Sequence, residues 1–192
     1  NLIMISSILL AAGQSKRMQG ENKLLKKYKK KYLINHILKS LIKSKVNKII
    51  IVLGYENKKI KKIALKSKKI IFVVNSQYLK GISTSIKCGL KKISKKNIGF
   101  LIAHADMPLV SKTILNALCS ALKNKNEEIF IPVYKKRIGN PLAFKYSMIK
   151  SLKRIKGDRG AKKLIRSNKS KIKLMKMKSK SILIDFDQLK DF

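Results

Sequence analysis

Three side chains in this sequence are of the kind that handles a polyphosphate. Arg17 and Lys23 are two cations within one short polar loop, and Asp106 is a carboxylate placed directly after the apolar run 98–105. That run reads as a buried strand, so Asp106 falls where the strand meets its C-terminal loop, the place where open α/β sheets hold ligands. A carboxylate there suits Mg²⁺, a hard cation that takes oxygen ligands, keeps several waters and bridges phosphates. The plainer reading of the same residue, before Met107-Pro108, is a cap on the turn or on the helix after Ser111. With only nine Asp+Glu in 192 residues, a carboxylate at this spot weighs toward the metal.

The loop itself runs LAAGQSKRMQGENK over residues 10–23. Ala11, Ala12 and Gly13 let the backbone approach a ligand closely, and N–H groups exposed in such a loop hold phosphate oxygens or base edges. Neither GxxxxGK[ST] nor GxGxxG is present. A tight strand-to-helix connection with incidental basic residues is the alternative.

Weaker candidates follow along the chain. Ser83, Thr84 and Ser85 open a predicted helix, where hydroxyls bind a sugar or phosphate or simply cap the helix, and Asn75 carries the same ambiguity toward ribose or base. Asp185 and Asp187 alternate onto one side of an extended segment, so both reach one metal or one of them anchors the chain. Gly139-Asn140-Pro141 and Gly157-Asp158-Arg159-Gly160 read as turns, with Asp158 as N-cap of the helix that follows. His104 reads as a packed strand histidine with one satisfied hydrogen bond, since no Ser or Cys completes a triad beside it, and His36 carries no signal. Cys88 and Cys119 form no CxxC and read as core thiols.

The elements that must position these groups alternate between apolar runs and stretches of helical spacing, the pattern of helices covering both faces of a largely parallel sheet. Strands are predicted at 3–10, 48–53, 70–74, 99–103, 128–133, near 140–144 and at 182–185. Helices are predicted at 32–43, 56–66, 83–92, 112–123, 145–152 and 160–167. No Pro/Gly/Ser-rich linker or fixed-period repeat divides the chain, so residues 1–192 are expected to form one domain. The lysine-rich stretches 26–31 and 171–180 carry spaced apolar residues and read as solvated sides of ordered elements.

Lys and Arg number 47, for a formal net charge of +38. Such an excess suggests a polyanion partner, and a cationic nucleic-acid-binding protein is the competing class. Only five of these cations are arginines, the better residue for bidentate phosphate and base contacts, and the lysines are spread throughout among Ile and Asn. That distribution reads as compositional drift on solvated faces, with nucleic acid an unexpected partner and no aromatic-rich basic motif to stack bases. The apolar opening lacks a basic n-region and is too short to span a bilayer, so it reads as a first strand, and two cysteines without a disulfide framework fit a reducing cytoplasm.

Taken in order, the motifs resemble those of the MobA-like nucleotidyltransferases. The loop LAAGQSKRMQGENK is similar to the family's LA(A/G)GxSxRMGxxK, GISTSIKCGL at 81–90 to its GxSxSxxxGL, and ADMPLV at 105–110 to its metal-binding DMPLV. IVLGY at 51–55, GNPLAF at 139–144, GDRGA at 157–161 and DFDQLKD at 185–191 complete the series, although the last lacks the family's Thr-Pro. The ensemble is most similar to the molybdenum cofactor cytidylyltransferases. This resemblance implies a three-layer, Rossmann-like α/β fold and Mg²⁺-dependent transfer of CMP from CTP to molybdopterin, giving molybdopterin cytosine dinucleotide and pyrophosphate. It implies Arg17, Lys23 and Asp106 as the catalytic set and Asp106 with Asp187 as metal ligands. Leu10, Ala11, Ala12, Gly13 and Lys23 would bind the nucleotide, together with Asn75, Ser83 and Ser85. Gly139, Asn140 and Pro141 would line the acceptor pocket, and a molybdoenzyme or its maturation chaperone would receive the product. Ala-Ala-Gly at 11–13 is the form associated with cytidylyl transfer. Guanylyl transfer, or cytidylyl transfer to a sugar phosphate or isoprenoid precursor, are the alternatives within the fold.

Overall fold

The computed structural model describes residues 3–18, 21–158 and 160–191. Gln19 and Gly20 of the signature loop and Arg159 of the GDRG turn lie outside the described residues, as do Asn1, Leu2 and Phe192.

The apolar opening forms β1 (Met4–Ala11), buried from Ile5 to its end. Burial of successive residues, which point to opposite faces, requires cover on both sides. Two short strands, β2 (Lys27–Tyr28) and β3 (Lys31–Tyr32), precede α1 (Leu33–Ile42), and β4 (Lys48–Leu53), α2 (Asn57–Ile63), β5 (Ile70–Val74) and α3 (Ile82–Leu90) follow. The second half contains β6 (Asn97–His104), α4 (Lys112–Ala121), β7 (Ile129–Tyr134), β8 (Arg137–Ile138) and β9 (Leu142–Lys145). It ends with α5 (Ile149–Lys153), α6 (Gly160–Ser167) and β10 (Ile172–Lys176).

Among the described residues one eight-stranded sheet runs in the order β10-β7-β9-β6-β1-β4-β5, with β8 paired to β7. Pairings β6–β1–β4–β5 are parallel, whereas β9 is antiparallel to both its neighbours. The period of two sorts β1 into two cores. Ile5, Leu9 and Ala11 pack with the apolar stripes of α1 and α4, and Ile8 and Leu10 pack with α3, α5 and α6. Helices on both faces of a mostly parallel sheet make this a three-layer α/β fold of the Rossmann-like kind. On the second face Gly89 brings α3 against β1: a Cβ there would meet Ile8 Cγ2 at 2.6 Å.

Several elements differ from expectation. Residues 182–185 form no strand; a 3₁₀ turn (Lys180–Leu183) leads into extended chain, and the sheet edge is β10 instead. Its burial is poor on both faces, so its lysines meet water and its pattern shows no apolar side. The segment expected as a helix from residue 145 starts as the end of β9 and a 3₁₀ turn before α5 begins. The hairpins β2–β3 and β7–β8 turn through Lys29-Lys30 and Lys135-Lys136, all four with positive φ (45°, 64°, 45° and 65°). Turns of that hand normally announce themselves by Asn or Gly; here lysine hides them.

Candidate active site

The strand ends converge on one edge of the sheet. β1 and β6 are in register, with Leu10 opposite His104, and the Ala105 N–H donates to the Leu10 carbonyl at 3.0 Å. The loop after β1 and the residue after β6 are therefore held side by side. Ser15, at φ 54°, folds the loop: its Oγ accepts from the Lys23 N–H (3.1 Å) and its carbonyl from the Met18 N–H (2.8 Å). Asn22 Oδ1 caps the next turn by accepting from the Leu24 N–H, and the buried Leu24 pins it to the core. The Lys23 ammonium then projects to Asp106, donating to Oδ2 at 2.5 Å, and also donates to Asp187 Oδ1. Arg17 Nη1 reaches Asp187 Oδ2 at 3.1 Å from the solvent side.

The C-terminal segment is tied to the same point. The Phe186 N–H donates to the Asp106 carbonyl at 2.9 Å, and Phe186 is buried edge-on against Tyr28. Asp191 Oδ2 accepts from the N–H groups of Asp187 (2.7 Å) and Gln188 (2.8 Å), closing the turn in a chain that lacks Thr-Pro there. Ligand atoms of Asp106, Asp185 and Asp187 consequently lie within 4.8 Å of one another.

Electrostatics follow from this geometry. Burial pulls the Lys23 pKa down, but the charge and hydrogen bond of Asp106, then those of Asp187, outweigh it and leave the ammonium above its ordinary 10.5. Desolvation first, and then the negative charge of Asp187, push the Asp185 carboxyl above its ordinary value. Asp106 Oδ1 is buried without a hydrogen-bond partner among the described residues. An orphaned carboxylate oxygen beside two further carboxylates fits a hard divalent cation, which takes oxygen ligands and offsets the desolvation cost of the anions.

A cleft of about 450 Å³ opens beside this cluster. Of the residues expected at the nucleotide, Leu10, Ala11, Ala12, Gly13, Lys23 and Ser85 line it, and so do Arg17, Asp106 and Asp187. A Cβ on Gly13 would meet nothing within 4 Å, so its backbone faces open space. The Ala12 methyl points toward Gly54, whose own backbone is pressed against Ala12 and Tyr78.

Asn75 and Ser83 do not line the cleft. Asn75 is 6% exposed; its amide donates to Thr84 Oγ1 (2.9 Å) and Ser85 Oγ (3.0 Å), and its carbonyl accepts from the Gln77 N–H (3.0 Å). Its side-chain amide thus holds the start of α3, and its carbonyl holds the turn at Gln77. Ser83 is buried beneath the Gly157 carbonyl, which accepts from its N–H. Asp158 caps α3, accepting from the Ile82 N–H at 2.9 Å, where α6 was the expected helix.

Gly139 and Asn140 line a second cavity of about 190 Å³, while the buried Pro141, joined to Asn140 by a cis peptide bond, lines neither. The Asn140 N–H donates to the Ile182 carbonyl at 2.8 Å, which sets the 139–140 loop beside the carboxylate segment. Asp185 and Arg137 line this cavity too. Asp185 was legible from its spacing to Asp187, whereas Arg137 sits on an exposed hairpin with no sequence signal. His104 is a correction: it is half-buried and lines both cavities, with no side-chain hydrogen bond among the described residues. Cys119 is buried as expected and Cys88 is only half-buried.

Comparison with known proteins bears on the same segment of chain. The family model described as the MobA-like NTP transferase domain matches residues 7–172. A probable molybdenum cofactor guanylyltransferase of Clostridium perfringens (strain 13 / Type A) is 33% identical over 137 residues, 71% of this chain but 63% of that relative. The match thus spans less than two thirds of the relative's length. The crystal structure of Rv0371c from Mycobacterium tuberculosis H37Rv superposes with a TM-score of 0.87 at 22% identity, covering 100% of this chain and 96% of that one. A complex of Rv0371C with manganese superposes at 0.75 with 21% identity, covering 91% and 88%. Likeness at this level of identity concerns the fold. Among the described residues no helix is long and apolar enough to cross a membrane.

Proposed function

The chain belongs to the MobA-like NTP transferase family, and on that premise we propose that it transfers CMP from CTP to the terminal phosphate of molybdopterin, releasing pyrophosphate. The observation that carries this reading is the meeting of Lys23, Arg17 and three carboxylates at the mouth of a nucleotide-sized cleft, with a second cavity sharing Asp106. One cavity suits a donor, the other an acceptor.

In the reaction an oxygen of the acceptor phosphate attacks the α-phosphorus, and the bond from that phosphorus to the bridging oxygen of pyrophosphate breaks. The attacking phosphate is already an anion near neutral pH, so positioning and charge neutralisation dominate over general-base help. Asp106, Asp187 and Asp185 would hold Mg²⁺. When bound, that ion neutralises phosphate charge. Lys23 and Arg17 stabilise charge on the departing pyrophosphate, and the backbone of Ala11–Gly13 grips the base.

CTP as donor is supported by the Ala-Ala-Gly form of residues 11–13. GTP is the second reading, favoured by the guanylyltransferase relative. Pyrophosphate release measured with molybdopterin as acceptor, Mg²⁺ present, and CTP or GTP as donor tests both. Faster turnover of CTP is expected, faster turnover of GTP would reverse the choice, and release with neither would refute the proposal.

A further inference from the structure

We propose that His104 is a catalytic residue of this transfer, a hydrogen-bond donor to the acceptor's attacking phosphate at the junction of the two cavities. The inference rests on the transferase reading above and extends it to a side chain whose sequence pattern reads as a packed strand histidine.

Among the described residues two line both cavities, Asp106 and His104. A group passing from a donor in one cavity to an acceptor in the other is transferred where the cavities adjoin, so residues common to both border the reacting phosphates. Asp106 is a carboxylate engaged with Lys23 and assigned to the cation, so it offers an incoming phosphate no hydrogen-bond donor. His104 is the other, and an imidazole carries at least one N–H whatever its charge, so its role as donor requires no titration.

The chain's two histidines differ in a telling way. His36 Nε2 is 2.8 Å from the Tyr28 carbonyl and its ring lies against Tyr28, the arrangement of a histidine used for packing. His104 has no such partner among the described residues, although β6 fixes its backbone rigidly in register with Leu10. A half-buried imidazole at a strand end, bordering both cavities and without a side-chain hydrogen bond among the described residues, is preorganised for a ligand oxygen.

The charge around the second cavity points the same way. Asp106 and Asp185 both border it, so an anionic acceptor needs compensating donors. Among the described residues bordering it, Arg137, Asn140 and His104 carry side-chain N–H groups able to donate, and of these His104 also borders the nucleotide cleft. Arg137 and Asn140 would hold the acceptor, while His104 would set the attacking oxygen in line.

The test compares wild type with His104→Ala, His104→Leu and His104→Gln, the last of which keeps an N–H donor. Loss of one preorganised donor lowers kcat on the order of a hundredfold to a thousandfold, and that drop is expected in the Ala and Leu variants, with His104→Gln recovering most of it. Nucleotide affinity measured by calorimetry, and melting temperature, should stay near wild type in all three. An active wild type whose Ala variant turns over normally, or whose variants lose nucleotide affinity in step with rate, overturns the role of His104 alone. A wild type that releases no pyrophosphate from any nucleoside triphosphate overturns the transferase reading and this inference with it.

Discussion

Replacing Lys23 by Met should strengthen divalent-cation binding while abolishing most turnover. The Lys23 ammonium donates to Asp106 Oδ2 at 2.5 Å and to Asp187 Oδ1, so it claims two of the three carboxylates that would hold a metal. Because those ligand atoms lie within 4.8 Å of one another, a bound cation and the ammonium would be near neighbours. A divalent and a monovalent charge about 5 Å apart repel by ~1.7 kcal/mol in a water-like dielectric, and by several times that at an effective constant of ~20. The screened figure alone corresponds to roughly twentyfold in affinity. Titration with Mn²⁺ in the absence of nucleotide, followed by calorimetry or by loss of the free-ion paramagnetic signal, reads this directly. Turnover should fall about a hundredfold or more, because the cation that would face the leaving pyrophosphate is gone. Binding and rate thus move in opposite directions, which general damage to the site does not produce. Equal or weaker Mn²⁺ binding in the folded variant would refute the competition argument.

Gly13→Ala meets no protein atom within 4 Å, so its stability should stay within about 0.5 kcal/mol of wild type, while KM for the nucleotide rises at least tenfold if the backbone there touches the base; unchanged KM would remove Gly13 from the binding surface. Replacing Lys135-Lys136 by Asn-Gly relieves two positive-φ lysines and should raise stability by ~1 kcal/mol in urea unfolding, since left-handed backbone costs a lysine roughly 1–2 kcal/mol per residue. Burial pushes the Cys119 thiol up to about 11 from its ordinary 9.0, against the opposing charges of Lys45 and Lys69. The fold thus favours the protonated form: this stabilisation is fully present below pH 9 and is lost as pH rises through about 11. At pH 8 the native thiol should alkylate at least tenfold more slowly than the unfolded chain, and equal rates would contradict its burial.

Much of the architecture was legible because it depends on local pattern. β1, β4, β5 and β7 are near-continuous apolar runs, and α1 and α4 carry stripes at helical spacing, so the alternation of strand and helix could be read from one sequence. The loop of residues 10–23 and the carboxylate after β6 were equally visible, because small residues, clustered cations and a charge at the end of an apolar run are local features. β10 and the two lysine hairpins were hidden, since an exposed edge strand needs no apolar face and left-handed lysines give no turn signal.

Residue types and local spacing determined which groups are available for chemistry, and near-neighbour periodicity determined the layers that carry them. Tertiary structure alone decided which of those groups meet. Asp106 and Asp187 are separated along the chain, and it is the Phe186 N–H bond to the Asp106 carbonyl, with Phe186 buried beside Tyr28, that brings Asp187 back to Lys23. Asn75, Ser83 and Ser85 looked alike in sequence, yet of the three Ser85 lines the cleft, while Asn75 bonds to the start of α3 and Ser83 lies beneath Gly157. His104 looked like a core residue and stands instead between two cavities. Composition records a side chain's chemistry; its partners are set by long-range closure of the sheet, which no local window of sequence contains.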